Sequence, residues 1–197
     1  MPDDARRAIL DRLRAARAPE TPAPDLSALG ARFPDRAGQL AQAIAAVAGT
    51  LVRVPDAPAL AAEVRALAER FGAARVFSSV PGVPGDASLD AIEDPHALEG
   101  IGLAVLPGAF AVAENGAVWL PTAGLRHRGV FVVAEHLALA VPAAEIVDDM
   151  HEAYRRISFP GPGFGTFVAG PSKTADIEQA LVIGAHGART CTVFLVG

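Results

Sequence analysis

The sequence predicts an α/β fold with a largely parallel mixed sheet and helices on both faces. Two observations predict it: amphipathic segments at helical spacing alternate with short apolar runs, and 16 prolines and 19 glycines supply frequent turns between them. At 197 residues and 51% hydrophobic content, the chain is long enough to bury one sizeable core. Connections that contain no long helix indicate that some neighbouring strands are antiparallel.

The N-terminal region is predicted to be a helix followed by a linker. Residues 3–17 place Ile9 and Leu13 on one face and arginines on the other, so this amphipathic helix could pack on a partner. The proline-rich stretch at 19–24 cannot continue the helix, because proline lacks the amide donor. The predicted divisions are an N-terminal helix with its linker at 1–35 and an α/β domain at 36–197.

Each element of the α/β domain follows from its periodicity. Apolar residues at intervals of three and four predict helices, and short apolar runs bounded by Gly, Pro or Asn predict strands. The predicted helices are 36–49, 58–71, 143–156 and a last one that begins near 172–174 and ends at 184. The predicted strands are 51–54, 75–79, 102–106, 117–120, 130–134, 137–141, 166–169 and 190–196.

The charge balance argues against polyanionic partners. Seventeen basic and 22 acidic residues give a formal net charge of −5, which provides no overall attraction for nucleic acid or an anionic membrane. No apolar run approaches the roughly 20 residues that span a bilayer, and the first residues lack the order of a secretory signal. We therefore expect a cytoplasmic protein with no nucleic-acid partner and no membrane span.

The chain contains a single cysteine, Cys191, within the apolar run 190–196. One cysteine forms no internal disulfide and holds no iron–sulfur or zinc site alone. We interpret Cys191 as a small buried hydrophobic residue, and we expect no metal site and no cofactor in this chain.

The most informative segment follows the strand predicted at 166–169. It reads Gly-Pro-Ser-Lys-Thr-Ala-Asp-Ile-Glu at 170–178, and Gly-Ala-His-Gly follows at 184–187. If Ser172 or Thr174 caps a helix here, Asp176 complements the helix dipole and no ligand is needed. Lys173, however, is a cation at the positive end of that helix, and either a bound anion or the carboxylate of Asp176 would compensate its charge. Both interpretations stay open. In an open α/β sheet such a turn would lie beyond the carboxyl ends of the strands, where ligands gather.

Two further residues could take part in chemistry. His186 lies between two small residues, and histidine can act as acid, base or anion donor near neutral pH. Glu114 precedes Asn115-Gly116, a pair that favours a tight turn before the strand at 117–120. Glu114 is either a surface turn residue or a general base or nucleophile.

These motifs resemble the LUD-domain family of lactate utilisation, in particular its lactate-utilisation protein C type. The resemblance covers about residues 36–197 and is strongest at 170–178 and 184–187. It implies a NagB/RpiA/CoA-transferase-like fold and a role in oxidising L-lactate to pyruvate, beside partner subunits that carry iron–sulfur clusters. Glu114-Asn115-Gly116 also resembles the segment with the nucleophilic glutamate of class I CoA transferases, although Asn115 and Ala117 depart from the family pattern.

The leading hypothesis is an accessory subunit of L-lactate oxidation with a pocket for a small anion. The alternative is a free-standing CoA-transferase-like or sugar-phosphate-isomerase-like enzyme that uses Glu114. Whether the chain is catalytic by itself stays open at this point. The candidate catalytic residues are Glu114, Asp176 and His186, and the candidate anion-binding residues are Gly170, Ser172, Lys173, Thr174 and Gly187.

Overall fold

The structure, a computed structural model, describes residues 3–17, 21–22, 24–25, 29–158, 163–175 and 181–197. Its helices are α1 (Asp3–Ala15), α2 (Arg36–Ala46), α3 (Ala57–Phe71), α4 (Val130–Val133) and α5 (Met150–Arg156). Its strands are β1 (Thr50–Val54), β2 (Val76–Ser78), β3 (Leu103–Pro107), β4 (Phe110–Val112), β5 (Val118–Pro121), β6 (His136–Pro142), β7 (Ile146–Val147), β8 (Gly165–Val168), β9 (Lys173–Ala175), β10 (Leu181–Ile183) and β11 (Thr190–Val196). Two short 3₁₀ turns, Leu89–Ala91 and Pro95–Leu98, lie between β2 and β3.

The centre of the molecule is a five-stranded parallel sheet in the order β1-β11-β6-β3-β2. A second sheet, β7-β4-β5-β8, combines one parallel pair with two antiparallel pairs. Strands β9 and β10 form a separate antiparallel pair. The predicted α/β class with a largely parallel sheet is therefore confirmed, and the mixed pairing lies in the second sheet.

Alternation along the central strands produces two cores. In β6, Leu137 and Leu139 face one side, where they pack with α2 and with strands of the second sheet. Ala138 and Ala140 face the other side and pack under α3. Because successive strand residues point to opposite faces, both faces of a buried parallel strand must be apolar. The second sheet covers its outer face with α5 in a smaller aromatic-rich cluster around Phe110.

Two buried carboxylates at the start of α5 contact the segment 32–36, which leads into α2. The carboxylate of Asp148 accepts two hydrogen bonds from Arg36, at 2.9 and 2.6 Å, and one from the backbone N–H of Phe33 at 3.1 Å. Asp149 caps α5 through the N–H of Glu152 and also contacts Arg32 at 3.3 Å. The hydrogen bonds from Arg36 hold the pKa of Asp148 below its usual range, against the opposing effect of burial.

Two predicted elements are wrong. Residues 130–134 form the short helix α4 instead of a strand, because an apolar run of this length does not distinguish the two structures. The helix predicted between 172 and 184 is also wrong: Lys173–Ala175 and Leu181–Ile183 are paired strands. The β-branched residues Val182 and Ile183 favour this outcome. The helix predicted at 143–156 is shortened to α5, because β7 precedes it.

The predicted amphipathic helix at 3–17 is present as α1. Its apolar residues Ile9 and Leu13 are 54% and 63% exposed. The division of the chain at residues 35 and 36 stays a prediction. Among the described helices, none is long and apolar enough to cross a membrane.

Candidate functional site

The two parts of the motif singled out in the sequence, described at 170–175 and 184–187, meet at the amino edge of the central sheet. The N–H of Ser172 donates to the carbonyl of Ala188 at 2.8 Å, and the N–H of Gly184 donates to the carbonyl of Ser172 at 2.9 Å. Ala188 lies just before β11, so this is the amino end of the parallel strands. The prediction of a site beyond the carboxyl ends is therefore wrong. The strand before the motif, β8, belongs to the second sheet and pairs antiparallel with β5.

The β9–β10 pair brings Thr174 to His186. Strand pairing sets Thr174 opposite Val182, and the chain then turns at Gly184 toward the histidine. The hydroxyl Oγ1 of Thr174 lies 3.1 Å from Nδ1 of His186, a hydrogen bond in which either atom can donate. This contact commits Nδ1, so Nε2 is the atom through which the ring would hold a ligand.

A cavity of about 310 Å³ opens beside His186. Gly170, Ser172 and Gly187 contribute to its wall, together with apolar side chains of α4 and the edge strand β8. A neighbouring cavity of about 400 Å³ shares His186 and Gly187 with it. Four predicted site residues therefore border one recess that is mainly apolar with a few polar groups, which is typical of small-molecule sites.

The glycines of the motif are required by close contacts. Gly184 has a φ of +78°, and a Cβ atom there would lie 2.6 Å from Cγ of Arg189. A Cβ atom at Gly187 would lie 3.0 Å from Cβ of Ser172. Glycine is the residue that tolerates both the positive φ and the contact. The two glycines therefore let Arg189 and Ser172 approach the loop that carries His186.

Lys173 is not part of either described cavity wall, but its ammonium lies against Gly170 and Pro171, which border the smaller cavity. Its ammonium lies 3.5 Å from the carbonyl oxygen of Pro171. It also lies near Gly170, where a Cβ atom would be 3.1 Å from the ammonium and would collide with the carbonyl oxygen of Val47, the C-cap of α2. A cation is favourable at the carboxyl end of a helix. The charge of Lys173 thus has a partner within the fold, and the positive helix end that suggested an anion is not formed by the described residues 172–175.

Glu114 caps a helix. Its Oε2 accepts a hydrogen bond from the N–H of Met150, the first residue of α5, at 3.0 Å. A carboxylate at this position satisfies an amide without an intrahelical partner and complements the helix dipole. Within the described residues, Glu114 lines neither cavity beside His186. The predicted Asn-Gly turn is present: Oδ1 of Asn115 accepts from Ala117, and Gly116 has a φ of +73°.

Asp176, the remaining candidate, lies outside the described residues. Two residues at the cavity were not predicted, Glu135 and Arg189. Arg189 stands two residues after Gly187, and this nearness to the motif was a usable signal. Glu135 precedes β6, far away in sequence, and only the pairing of β6 with β11 brings it to the site.

Cys191 is buried beneath this region, as the sequence predicted. Burial raises the pKa of its thiol to about 12, against smaller opposing effects from the charge of Lys173 and the amide of Gly170. The thiol is therefore protonated near neutral pH and is not a nucleophile. Over the described ranges, no group of three or more His, Cys, Asp or Glu side chains could hold a metal ion.

The fold and the site define a class of protein: an α/β domain in which the loops before two adjacent parallel strands border a recess. Residues 102–196 match the family model of the LUD domain. The chain belongs to the LUD-domain family, and its curated relatives are of the lactate-utilisation protein C type.

Two such relatives illustrate the extent of the similarity. The chain is 36% identical over 104 residues to lactate utilization protein C 1 of Bacillus mycoides, which covers 50% of this chain and 44% of the relative. It is 30% identical over 161 residues to lactate utilization protein C of Geobacillus kaustophilus, covering 77% of this chain and 64% of the relative. The chain thus spans less than two thirds of the length of these relatives.

A solved structure supports the fold. The crystal structure of a DUF162 family protein from Deinococcus radiodurans superposes with a TM-score of 0.58, covering 83% of this chain and 99% of that one at 20% identity. At this identity the match bears on the fold alone.

Proposed function

We propose that this protein serves in L-lactate utilisation, the oxidation of L-lactate to pyruvate, as an accessory subunit that binds a small anion beside His186. The similarity to lactate utilization proteins C of Bacillus mycoides and Geobacillus kaustophilus supports a role in this pathway. The observation that carries the binding role is the cavity of about 310 Å³ bordered by Gly170, Ser172, His186 and Gly187.

In this proposal the cavity residues have separate roles. The hydroxyl of Ser172 and the imidazole of His186 provide hydrogen bonds to the anion, and Thr174 orients the imidazole through Nδ1. His186 can also exchange a proton with the ligand. Lys173 lies beside Gly170 and Pro171 of the cavity wall, and its part in binding the anion stays a prediction, whereas Glu114 caps α5 away from the cavity. Asp176 stays a prediction.

We assign the electron-transfer step to partner subunits that carry iron–sulfur clusters, in the cytoplasm. The chain has one cysteine, and its thiol is buried and protonated. Cluster ligation needs several thiolates, so this proposal places the cluster-binding cysteines in partner subunits. Binding a substrate or product anion is the contribution that this chain can make to such an assembly.

The alternative is a free-standing enzyme based on Glu114, a residue that lies apart from the cavities beside His186. The Glu114 side chain is exposed, and its Oε2 accepts a hydrogen bond from the N–H of Met150, so the favoured role of Glu114 is to cap α5. A free-standing enzyme would turn over substrate without partners and lose that activity in Glu114→Gln.

A reconstitution assay tests the proposal. We expect no L-lactate oxidation from the purified protein alone, and a faster L-lactate-dependent dye reduction when it is added to iron–sulfur subunits of a lactate-oxidising complex. His186→Gln should lose most of this increase. Glu114→Gln should keep it. Turnover by the isolated chain that depends on Glu114, or no effect of the protein on the partner subunits, would contradict the accessory role.

A further inference from the structure

An ion pair lies at the mouth of the larger cavity. NH1 of Arg189 lies 2.5 Å from Oε1 of Glu135, and the two side chains are 65% and 48% exposed. Their backbones are also joined, since the N–H of Arg189 donates to the carbonyl of Glu135 at 2.8 Å. The two residues precede β11 and β6, which are adjacent in the central sheet. The pair is therefore fixed in place by the sheet and open to solvent.

Gly184, in the motif that includes residues 184–187, positions Arg189. A Cβ atom at Gly184 would lie 2.6 Å from Cγ and 2.9 Å from Cα of Arg189. The absence of a side chain at Gly184 is thus what lets the arginine stem lie against the loop. Gly184 and Arg189 therefore pack as one unit. The packing of the hydrophobic core does not by itself require this contact.

The cavity beside the ion pair has the size of a small-ligand site. Its volume is about 400 Å³, and its wall combines Glu135, His186 and Arg189 with the apolar side chains Val132 and Val133. Among the described residues that line this cavity, Arg189 carries the one permanent positive charge. Pockets of a few hundred cubic ångströms with a few convergent polar groups are typical of small-molecule sites.

We propose that Arg189 binds the carboxylate of a small hydroxy acid or keto acid in this cavity, and that Glu135 competes with that carboxylate. This inference rests on the proposed function and extends it into the neighbouring cavity, which shares His186 and Gly187 with the first, and it names the ligand class. The planar guanidinium presents paired donors that match the two oxygens of a carboxylate. An exposed ion pair contributes little stability, so a ligand carboxylate can displace Glu135. His186, in the same wall, is then close to the hydroxyl or keto group.

The charge of Glu135 also selects among anions. A phosphate carries more negative charge than a carboxylate near neutral pH, so the neighbouring glutamate repels it more strongly. The site should therefore favour monocarboxylates over phosphate. Removing the charge of Glu135 should tighten the binding of monocarboxylates and of phosphate, and it should narrow the difference between their affinities.

Calorimetric titration of the purified full chain tests this inference. The ligands are L-lactate, pyruvate and inorganic phosphate, and the variants are Arg189→Gln, Arg189→Lys and Glu135→Gln. Arg189→Gln should weaken lactate and pyruvate binding by about tenfold or more, the usual effect of losing hydrogen bonds to a charged group. Arg189→Lys should weaken it less, and Glu135→Gln should strengthen it. A purely structural ion pair would not give effects of opposite sign.

A second exposed ion pair provides the matched control. NH1 of Arg156 lies 2.7 Å from Oε2 of Glu145. Neither residue is part of the described walls of the two cavities beside His186. Arg156→Gln should leave affinity unchanged. Thermal unfolding of each variant verifies the fold, and Arg189→Lys preserves the charge if Arg189→Gln is unstable.

The outcomes separate this inference from the proposed function. Unchanged carboxylate affinity in folded Arg189→Gln and Arg189→Lys would overturn the role of Arg189 while leaving an accessory subunit intact. Tighter binding of phosphate than of lactate by the wild type would overturn the ligand class. Arg189-dependent lactate binding without any effect on the iron–sulfur subunits would support the inference and contradict the accessory role.

Discussion

Thr174 and His186 are joined by a hydrogen bond of 3.1 Å between Oγ1 and Nδ1. The bond connects strand β9 to the loop before β11, so it couples the two halves of the LUD motif. The polar residues of the first half therefore position the histidine of the second half. A helix N-terminus is not needed for this arrangement.

We expect Thr174→Val to weaken the binding of lactate or pyruvate by about threefold to tenfold. Valine has a similar shape but no hydroxyl, and a typical net hydrogen bond is worth about 0.5–1.5 kcal/mol. Calorimetry measures the affinity, and Thr174→Ser, which keeps the hydroxyl, is the matched control. Wild-type affinity in Thr174→Val would show that the orientation of His186 does not depend on this bond.

Gly116 and Gly170 should be intolerant of alanine. Both have positive φ, +73° and +74°, and both abut the carboxyl half of α2. A Cβ atom at Gly116 would lie 2.9 Å from the backbone of Ala43, and one at Gly170 would collide with the carbonyl oxygen of Val47. The glycines thus hold the Asn-Gly turn and the motif on successive turns of one helix.

The matched control is Gly124, which has a φ of +83° and no atom within 4 Å of a Cβ at that position. Gly124→Ala should lower the free energy of unfolding only by the cost of holding alanine at a positive φ, about 1–2 kcal/mol. Gly116→Ala and Gly170→Ala should lose about 1–3 kcal/mol more through the steric conflict. Urea unfolding measures these free energies, and equal losses at the three sites would refute the packing argument.

The contact between Asp148 and Arg36 should make the protein sensitive to acid. The pKa of Asp148 is lowered in the folded state, chiefly by the hydrogen bonds from Arg36. Its contribution to stability is therefore present above the ordinary aspartate pKa of about 3.9, and is lost as the pH falls through the lowered folded value. Asp148→Asn should lose roughly 2–3 kcal/mol at pH 7, because charged hydrogen bonds from Arg36 disappear.

Urea unfolding from pH 7 to pH 3 measures this effect. The wild type should lose stability faster than Asp148→Asn below about pH 4. Asp11, an exposed carboxylate in α1, provides the control substitution Asp11→Asn. Parallel curves for the wild type and Asp148→Asn would mean that Arg36 does not stabilise the charged carboxylate.

His136 should add a second pH dependence at higher pH. Its ring is stacked on Phe71 at 3.9 Å, and Nδ1 lies 2.9 Å from Oγ1 of Thr190. Burial lowers the pKa of His136, and the charge of Arg189 lowers it further while Glu135 opposes this. The protein is therefore most stable, as far as His136 is concerned, above the ordinary histidine pKa of about 6.5. Its free energy of unfolding declines as the pH falls from there toward the lowered pKa of His136 in the folded state.

His136→Phe removes this titration and keeps an aromatic ring against Phe71. The slope of unfolding free energy against pH, between about 6.5 and 5, should decrease in His136→Phe. The slope should persist in the control variant His96→Gln, because the side chain of His96 is 95% exposed. An unchanged slope in His136→Phe would exclude His136 as its source.

The sequence allowed the central sheet to be predicted because its strands are buried on both faces. Continuous apolar runs such as those of β3, β6 and β11 are typical of strands buried on both faces, although the similar run at Val130–Val133 forms a helix. The motif was harder to interpret, since Lys173 and Thr174 are polar residues at a helix-like spacing from Ile177. Their strand conformation depends on pairing with Val182 and Ile183, a tertiary effect.

The candidate site was predicted in part for a similar reason. Ser172, His186 and Gly187 stand out by residue type, and they do border one cavity. Lys173 has the chemistry expected of an anion-binding residue, but it lies behind the cavity wall, where it donates to the carbonyl of Pro171. Arg189 and Glu135 come together only through the parallel pairing of β6 and β11, which local patterns do not encode.

A crystal structure of the protein grown with L-lactate tests the central claim most directly. We predict the ligand in the recess beside His186, with its carboxylate on Arg189 and its hydroxyl near the imidazole. Lactate bound elsewhere, for example at the Glu114 turn, with only water beside His186 would contradict the account.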